Sequence, residues 1–272
     1  MKNEELAQHA CHVRKNIVKM LTEAGSGHPG GSLSITDMLQ VLYFETMHID
    51  PKNPKMADRD RFVLSEGHCA PALYGTLVER GYFPEEELWH LRKCGAMLQG
   101  HPDMKHTPGV DMSTGSLGQG LSAANGMALT AKLDHADWRV YVMCGDGEIQ
   151  EGMIWEAAMS SAQYKLDNLT LFVNHNGLQI DGSNDEVMNV NPIDAKFRAF
   201  GWNVIAIDGH DYDAIRAAIT LAKETKGHPT AIIAETVKGK GVSFMENQVG
   251  WHGKAPNQEQ CAQALKELGG EA

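Results

Sequence analysis

Metal-binding residue types follow two apolar segments of this sequence. Val140 to Cys144 is an apolar run typical of a buried parallel strand, and a Gly-Asp-Gly turn centred on Asp146 follows it directly. A second apolar run ends at Val173, and Asn176 lies just beyond it, 30 residues after Asp146. One strand–helix–strand unit has this length, so we expect Asp146 and Asn176 at the same edge of a parallel sheet.

A carboxylate, an amide oxygen and a nearby loop carbonyl are hard oxygen ligands suited to Mg²⁺ or Ca²⁺. They are too few for an octahedral shell, so we expect water and the phosphate oxygens of a ligand to complete it. Backbone amides after Gly147 also suit an anion, because a helix N-terminus carries partial positive charge. Gly-Asp-Gly alone is more typical of a tight turn without a ligand; the spacing to Asn176 favours a metal site.

The whole pattern resembles the thiamine diphosphate motif, and the forms at 145–152 and 176–182 are similar to those of transketolases. Over nearly its full length the chain resembles the N-terminal subunit of split bacterial transketolases. The resemblance implies that Asp146, Asn176 and the Leu178 carbonyl hold Mg²⁺, for which Ca²⁺ or Mn²⁺ can substitute. It further implies a set of cofactor-binding residues: His68, Gly115, Ser116, Leu117, Gly145, Asp146, Gly147, Glu148, Asn176, Ile180 and His252.

Four histidines in glycine-rich turns are the candidate catalytic residues: His28, His68, His101 and His252. Imidazole titrates near neutral pH and therefore suits proton transfer. By residue type alone, a histidine in such a turn is as compatible with a helix cap or a surface position. The resemblance directs His28 and His101 to the substrate and His68 and His252 to the diphosphate side. It also places Gly115 against the aminopyrimidine and Leu117 beside the thiazolium; Ser116 stands where the family usually has proline.

Alternating strand and helix patterns must position these residues. They predict an α/β fold with a doubly wound, mainly parallel sheet and helices on both faces. The resemblance implies that this is the diphosphate-binding (PP) domain fold, and we expect residues 1–272 to form one such domain. Ser34 is the predicted N-cap of the second helix. The predicted strands cover 61–64, 140–144, 169–173, 202–207 and 230–235, and the main helices 4–24, 34–47, 70–80, 84–94, 114–131, 191–200 and 211–224.

Composition excludes some classes of function. A net charge of −11 over 272 residues argues against a nucleic-acid-binding or anionic-membrane surface. The five cysteines are scattered and form no Cys-x-x-Cys, which favours reduced thiols in the cytoplasm. The N-terminus has no apolar signal core, and no apolar run is long enough for a membrane span.

Part of the expected apparatus lies outside this sequence. Transketolases place the glutamate that activates the cofactor in a pyrimidine-binding domain, and the chain ends before that domain and the C-terminal domain. We therefore expect a separate C-terminal subunit, in an α2β2 heterotetramer, to complete the site. Glu151 and Glu156 match family positions at the subunit contact, although exposed helix acids are an equal alternative. His175 either tunes the metal site or faces solvent, and we favour the solvent-facing position. Lys238 lies in a loop that either binds phosphate or is simply solvated.

The function implied by the resemblance is transfer of a two-carbon ketol unit from a ketose (phosphate) donor to an aldose acceptor, as in the pentose phosphate pathway. One alternative is the α component of a thiamine-dependent 2-oxo-acid dehydrogenase, whose chemistry releases CO2. Another is an inactive cofactor-binding module. The Gly-His-Pro sequences at 27–29 and 100–102 and Thr-Gly-Ser-Leu-Gly-Gln-Gly at 114–120 favour transketolase, and intact metal ligands argue against inactivity. The donor and acceptor sugars are not assigned by the sequence.

Overall fold

A computed structural model describes residues 1–269 of the chain. The strands of that part are β1 (Arg61–Leu64), β2 (Val140–Gly145), β3 (Leu169–His175), β4 (Asn203–Asp208) and β5 (Thr230–Glu235). They form one five-stranded sheet in the order β1-β2-β3-β5-β4. Every neighbouring pair is parallel, so all carboxyl ends meet at one edge.

Helices alternate with the strands along the chain. Short 3-10 segments lie between the helices and strands, and one π-helical turn (Leu42–Thr46) extends the second helix. The α-helices within residues 1–269 are α1 (Asn3–Ala24), α2 (Pro29–Val41), α3 (Ala70–Arg80), α4 (Gly120–Leu133), α5 (Gly152–Gln163), α6 (Asn184–Val187), α7 (Ile193–Ala199), α8 (Tyr212–Glu224) and α9 (Gln258–Glu267).

Both faces of the sheet are buried. Along β2, Tyr141 and Met143 point into a core shared with α1, α2, α3 and α8, whereas Val142 and Cys144 point into the opposite core with α4, α5 and α7. The chain passes from β3 to the edge strand β4 and returns through α8 to β5. Because parallel crossovers are right-handed, this reversal places α8 on the face opposite α5. The predicted doubly wound sheet is confirmed.

The start of α2 differs from the prediction. The helix begins at Pro29, not near Ser34, and Ser34 lies inside it with its hydroxyl donating to the Gly31 carbonyl at 2.8 Å. Proline is favoured at the first helical position because its missing N–H has no helical partner there. Gly30 and Gly31 are poor helix formers and therefore hid the first turn from the sequence pattern.

The helix expected directly after Gly147 is also different. A 3-10 turn (Glu148–Gln150) intervenes, and α5 begins at Gly152 with Glu151 as its N-cap residue. Similarly, the predicted 84–94 helix is a 3-10 segment (Glu85–His90), and the 114–131 helix begins only at Gly120. The 3-10 turn at Glu148–Gln150 and the loop before Gly120 bring Glu148 and Leu117 to the cavity at the carboxyl edge of the sheet.

The structure agrees with the prediction of unpaired cysteines. All five cysteines are free thiols, and Cys144 is fully buried in the core. Among residues 1–269, no helix combines the length and the apolar character needed to cross a membrane.

Candidate cofactor site

The carboxylate of Asp146 is held at the end of β2 by three donors. Its oxygens accept hydrogen bonds from the backbone N–H of Gly177 at 2.7 Å and of Gly147 at 2.8 Å. The side-chain amide of Asn184 donates a third at 2.9 Å. Asp146 is only 2% exposed, and burial raises its pKa although these hydrogen bonds oppose the rise. The carboxylate is thus both oriented and electrostatically receptive to a cation.

Asn176 and Leu178 lie in the loop that follows β3. The side-chain oxygen of Asn176 accepts a hydrogen bond from the Leu178 N–H at 3.1 Å. The carbonyl oxygen of Leu178 accepts one from Lys238 Nζ at 3.2 Å. Both residues line the same cavity as Asp146, so the structure brings the three predicted metal ligands together.

The cavity lies at the carboxyl edge of β2 and β3, where open parallel sheets bind ligands. Its volume is about 180 Å³. Most of the predicted cofactor residues line it, and Ser116, Gly115, His28 and His101 do not. The lining residues are Gly31, Glu66, His68, Leu117, Gly145, Asp146, Gly147, Glu148, Asn176, Leu178, Gln179, Ile180, Asp181, Val187, Lys238 and His252.

The four predicted histidines form one cluster at this cavity. The rings of His68 and His252 stack with centroids 5.1 Å apart. The His28 ring lies 5.3 Å from His68 and 5.5 Å from His252, and His101 lies 6.2 Å from His28. Burial lowers the pKa of all four, to about 4 for His28 and His252. At neutral pH these rings are therefore neutral, each with one donor and one acceptor nitrogen.

Lys238 brings a cation into the histidine cluster. Its ammonium lies 3.1 Å from Nδ1 of His252 as well as against the Leu178 carbonyl. The residue is 2% exposed, and burial lowers its pKa. The solvated alternative for this lysine is therefore wrong.

Gly115 and Leu117 approach the site from the loop before α4. Gly115 has φ +141°, and a Cβ there would lie 3.1 Å from the His101 ring, so the position requires glycine. Leu117 is 37% exposed and lines the cavity. Ser116 lies outside the cavity lining, and its cofactor contact stays a prediction.

Glu148 is buried and satisfied by the protein. It accepts hydrogen bonds from the N–H groups of Gly118 at 2.9 Å and Gly145 at 3.1 Å, and from the Ser65 hydroxyl. Burial raises its pKa. It therefore fixes the loop before α4 to the end of β2. Glu148 also lines the cavity, and its predicted contact with the cofactor stays a prediction.

The preferred solvent-facing position of His175 is wrong. The parallel register of β3 and β5 places His175 opposite Glu235, and its Nδ1 lies 2.7 Å from a Glu235 carboxylate oxygen. Only 16% of the His175 side chain is exposed. The ring is thus held by a residue of the neighbouring strand β5.

Sequence reasoning missed Glu66, which is 1% exposed and lines the cavity. Its Oε2 accepts hydrogen bonds from Asn174 Nδ2 and from the Cys69 thiol, both at 3.2 Å. Burial, together with the charge of Glu148, raises the pKa of Glu66 to about 8. The residue immediately precedes the Gly67-His68 pair, which the sequence pattern does single out, but only its contacts reveal that it is buried.

The donor set fits a hard divalent cation, because it consists of a carboxylate, an amide oxygen and a backbone carbonyl. The ammonium of Lys238 on the Leu178 carbonyl is a stand-in cation, which shows that this oxygen is open to positive charge. Fold and site together define an α/β protein with a polar ligand cavity where the strands end.

This chain belongs to the transketolase family. The family model described as "Transketolase, thiamine diphosphate binding domain" matches residues 7–272. The chain is 47% identical to a 6-deoxy-6-sulfo-D-fructose transketolase subunit of Clostridium sp. (strain MSTE9), covering 97% of this chain and 96% of the relative. It is 42% identical to an apulose-4-phosphate transketolase subunit of Phocaeicola vulgatus, over 98% and 95% of the two chains.

Longer relatives carry the same domain. Human transketolase is 41% identical over 98% of this chain, which spans 42% of the human protein. The crystal structure of transketolase from Campylobacter jejuni superposes with a TM-score of 0.95 at 35% identity, covering 100% of this chain and 44% of that one. The chain thus corresponds to the thiamine diphosphate-binding domain of transketolases and to less than half of these longer proteins.

Proposed function

We propose that this chain is the N-terminal subunit of a thiamine diphosphate-dependent transketolase. The enzyme would move a two-carbon ketol unit from a ketose or ketose phosphate to an aldose. The observation that carries the proposal is the shared cavity of Asp146, Asn176 and Leu178, closed on one side by neutral histidines. The two relatives of matching length, both named as transketolase subunits, support it.

In this function Asp146, Asn176 and the Leu178 carbonyl would hold Mg²⁺, with His68, His252 and Lys238 around the diphosphate. When bound, thiamine diphosphate supplies a nucleophilic carbon and an electron sink for cleaving the bond beside a ketose carbonyl. The remaining tasks fall to the chain itself: orienting the sugar and moving protons.

The neutral histidines suit those tasks. A neutral ring offers one acceptor and one donor nitrogen, so it can take a proton from a sugar hydroxyl or hydrogen-bond a carbonyl. Nδ1 of His28 is buried and has no hydrogen-bond partner among residues 1–269, so this ring has an unpaired nitrogen beside the other histidines. Because burial lowers the pKa of these rings, a protonated ring returns its proton readily. Such general acid–base assistance contributes about 10²- to 10⁴-fold.

A second subunit would complete the site. The cavity of about 180 Å³ is smaller than the roughly 300–1,000 Å³ of typical ligand sites. Large apolar side chains stand exposed on α5 and just after it, with Met153 at 40%, Met159 at 59% and Tyr164 at 56%. Glu151, the N-cap of this helix, is also exposed. We assign this surface, including Glu156, to the C-terminal transketolase partner. Residues 1–272 would form one diphosphate-binding domain, and two such chains would join two partner chains in an α2β2 assembly. The enzyme would act in the cytoplasm in carbohydrate metabolism.

Calorimetric titration with thiamine diphosphate and MgCl2 tests the cofactor site. We expect metal-dependent binding by the wild-type chain and its loss in Asp146→Ala. Asp185→Ala is the matched control, because Asp185 is exposed on α6 and outside the cavity lining. Unchanged affinity in Asp146→Ala would remove the metal assignment.

A transfer assay tests the reaction. The chain is mixed with a C-terminal transketolase subunit of the same organism and supplied with ketose donors and aldose acceptors. We expect sugar exchange only in the mixture. Full turnover by this chain alone would contradict the two-subunit proposal, and CO2 release from a 2-oxo acid would point to the dehydrogenase reaction instead.

A further inference from the structure

Glu66 is a buried acid whose two oxygens have different surroundings. Oε2 accepts both hydrogen bonds, from Asn174 and Cys69. Oε1 is buried and has no hydrogen-bond partner among residues 1–269. Neither Asn174 nor Cys69 is one of the proposed metal ligands. A buried oxygen without a partner is costly, so it calls for a proton and a ligand atom to receive it.

The space in front of the carboxyl group is kept open by two glycines that line the cavity. A Cβ on Gly145 would lie 3.3 Å from Glu66 Oε2, and one on Gly31 would lie 3.9 Å from the same oxygen and 2.5 Å from the Cys69 sulfur. Any side chain at either position would therefore press against the acid or its thiol partner. Glycine at both positions therefore leaves the carboxyl group and its thiol partner uncrowded on the side of Oε2.

The charges around Glu66 favour its neutral form. Glu148 and Asp146 raise the pKa of Glu66 by repulsion, after the larger effect of burial. Lys238, a positive group of the cavity lining, attracts the charged form of Glu66 and so opposes this effect, but its ammonium is engaged by the Leu178 carbonyl and His252. The titratable groups facing Glu66 are His68 and Cys69 on its own turn, Cys144, Asp146 and Glu148 at the end of β2, and Lys238 after β5.

We propose that Glu66 is a cofactor-binding residue that, as a neutral carboxylic acid, donates a hydrogen bond from Oε1 to an anionic phosphate oxygen. This inference rests on the proposed function, since it names a further contact for the diphosphate in the same cavity. A neutral carboxylic acid can donate a hydrogen bond to a phosphate oxygen, whereas a carboxylate would repel it. Binding of the anion therefore depends on one proton at Glu66.

The sign of the pH dependence follows from that proton. With a pKa of about 8, Glu66 carries its proton at pH 7 and loses it above pH 8. Binding at higher pH must therefore take up one proton, and the affinity falls about tenfold for each pH unit above the pKa. A purely structural role for Glu66 would alter the melting temperature but would not produce this uptake.

The test is calorimetric titration of the chain with thiamine diphosphate and MgCl2 at pH 7.0, 8.0 and 9.0, in buffers of different ionisation enthalpy. We expect the wild type to take up close to one proton at pH 9.0 and to bind about tenfold more weakly there than at pH 7.0. Glu66→Gln keeps a hydrogen-bond donor that does not titrate, so its affinity should not change between pH 7.0 and 9.0. Its binding should take up no proton at residue 66. Glu66→Leu, without a donor, should bind roughly 10- to 100-fold more weakly at pH 7.0.

Glu86→Gln is the matched control, because Glu86 lies outside the cavity lining, on the 3-10 segment after α3; it should behave as the wild type. Equal proton uptake by wild type and Glu66→Gln would overturn the inference while leaving the proposed function standing. No binding of thiamine diphosphate by the wild type at any pH would instead remove the proposed function itself. Melting temperatures of the ligand-free variants separate loss of fold from loss of contact.

Discussion

The ammonium of Lys238 lies 3.2 Å from the carbonyl oxygen of Leu178. Leu178 is a proposed metal ligand, so the ammonium and a divalent ion compete for one oxygen. Because two cations at the same carbonyl repel each other, a metal held there would displace the lysine. A diphosphate bound beside the metal would give the displaced ammonium a new anionic partner.

Replacing Lys238 should consequently affect two ligands in opposite directions. In Lys238→Met we expect Mn²⁺ alone to bind more tightly, because its competitor is gone. The affinity for thiamine diphosphate with Mg²⁺ should fall roughly 10- to 100-fold, as expected for a lost hydrogen bond to a charged group. Electron paramagnetic resonance of Mn²⁺ and calorimetry measure the two affinities. Lys240→Met, in the same loop, is the control; a parallel change in both affinities would contradict the competition.

Asn184 should influence the metal through Asp146. It is 3% exposed and donates to the Asp146 carboxylate at 2.9 Å. Groups that orient a ligand in this way typically contribute 10- to 100-fold in metal affinity, so we expect Asn184→Ala to weaken metal-dependent cofactor binding by about tenfold. Asn189→Ala, an exposed asparagine beyond α6, is the control. If Asn184→Ala lowered only the melting temperature, its effect would be on folding and not on the site.

The sequence alone was enough to predict that Asp146 and Asn176 lie close together. Each follows an apolar run, and parallel strands end at one edge, so no knowledge of the sheet order was needed. His175 was misplaced because its partner Glu235 lies on β5, which adjoins β3 only after the chain has passed through the edge strand β4. An order with such a crossover is not encoded in local pattern.

Burial of a polar residue in a turn is also a tertiary property. Glu66 stands between serine and glycine, and that setting favours an exposed acid. Its burial arises from Asn174, more than 100 residues away, and from the close approach of α2. The family resemblance predicted that the four histidines serve one site. Their lowered pKa values come from tertiary packing, which the spacing of residues in the sequence does not reveal.

Asp37 anchors the loop that carries Lys238. Its carboxylate pairs with Arg14 at 2.7 Å and 3.0 Å and with Nδ1 of His210 at 2.7 Å, while Nε2 of His210 accepts from the Val237 N–H at 2.9 Å. Burial acts to raise the pKa of Asp37, but the Arg14 guanidinium and His210 hold it far below its ordinary value.

Asp37→Ala leaves Arg14 buried without its partner, and such losses cost about 3–5 kcal/mol of unfolding free energy. Urea denaturation measures this change. Asp213→Ala breaks the exposed pair with Arg216 and should cost less than about 1 kcal/mol. Similar losses in both variants would show that the Asp37 network contributes no more than a surface ion pair.

Protonation of the histidine cluster should destabilise the fold. The pKa values of His28 and His252 are lowered to about 4, so the folded chain binds fewer protons than the unfolded chain, in which histidine titrates near 6.5. The stability contribution is complete above pH 6.5 and decreases as the pH falls from 6.5 toward 4. Ring nitrogen NMR should show both residues neutral at about pH 5.5.

His12 provides an internal reference for that titration. Its hydrogen bond to Glu79 raises its pKa, so His12 should be protonated at about pH 5.5 in the same sample. A His28 or His252 ring that titrates near 6.5 would mean that the cluster is hydrated and does not lower the pKa by burial.

The exposed face of α5 should decide assembly. Met159 is 59% exposed, and Met159→Asp should leave the isolated chain within about 0.5 kcal/mol of the wild-type stability, as surface changes usually do. If this face is covered by the C-terminal subunit, burying the introduced charge should weaken the complex at least tenfold, because charge without a partner is costly to desolvate. Leu221→Asp on α8 is the matched control, since Leu221 is 51% exposed on the opposite side of the sheet. Sedimentation velocity of the mixed subunits measures assembly. If Met159→Asp still binds the partner, this face is not part of the contact between the two subunits. If the variant loses only self-association, the face is a contact between copies of this chain.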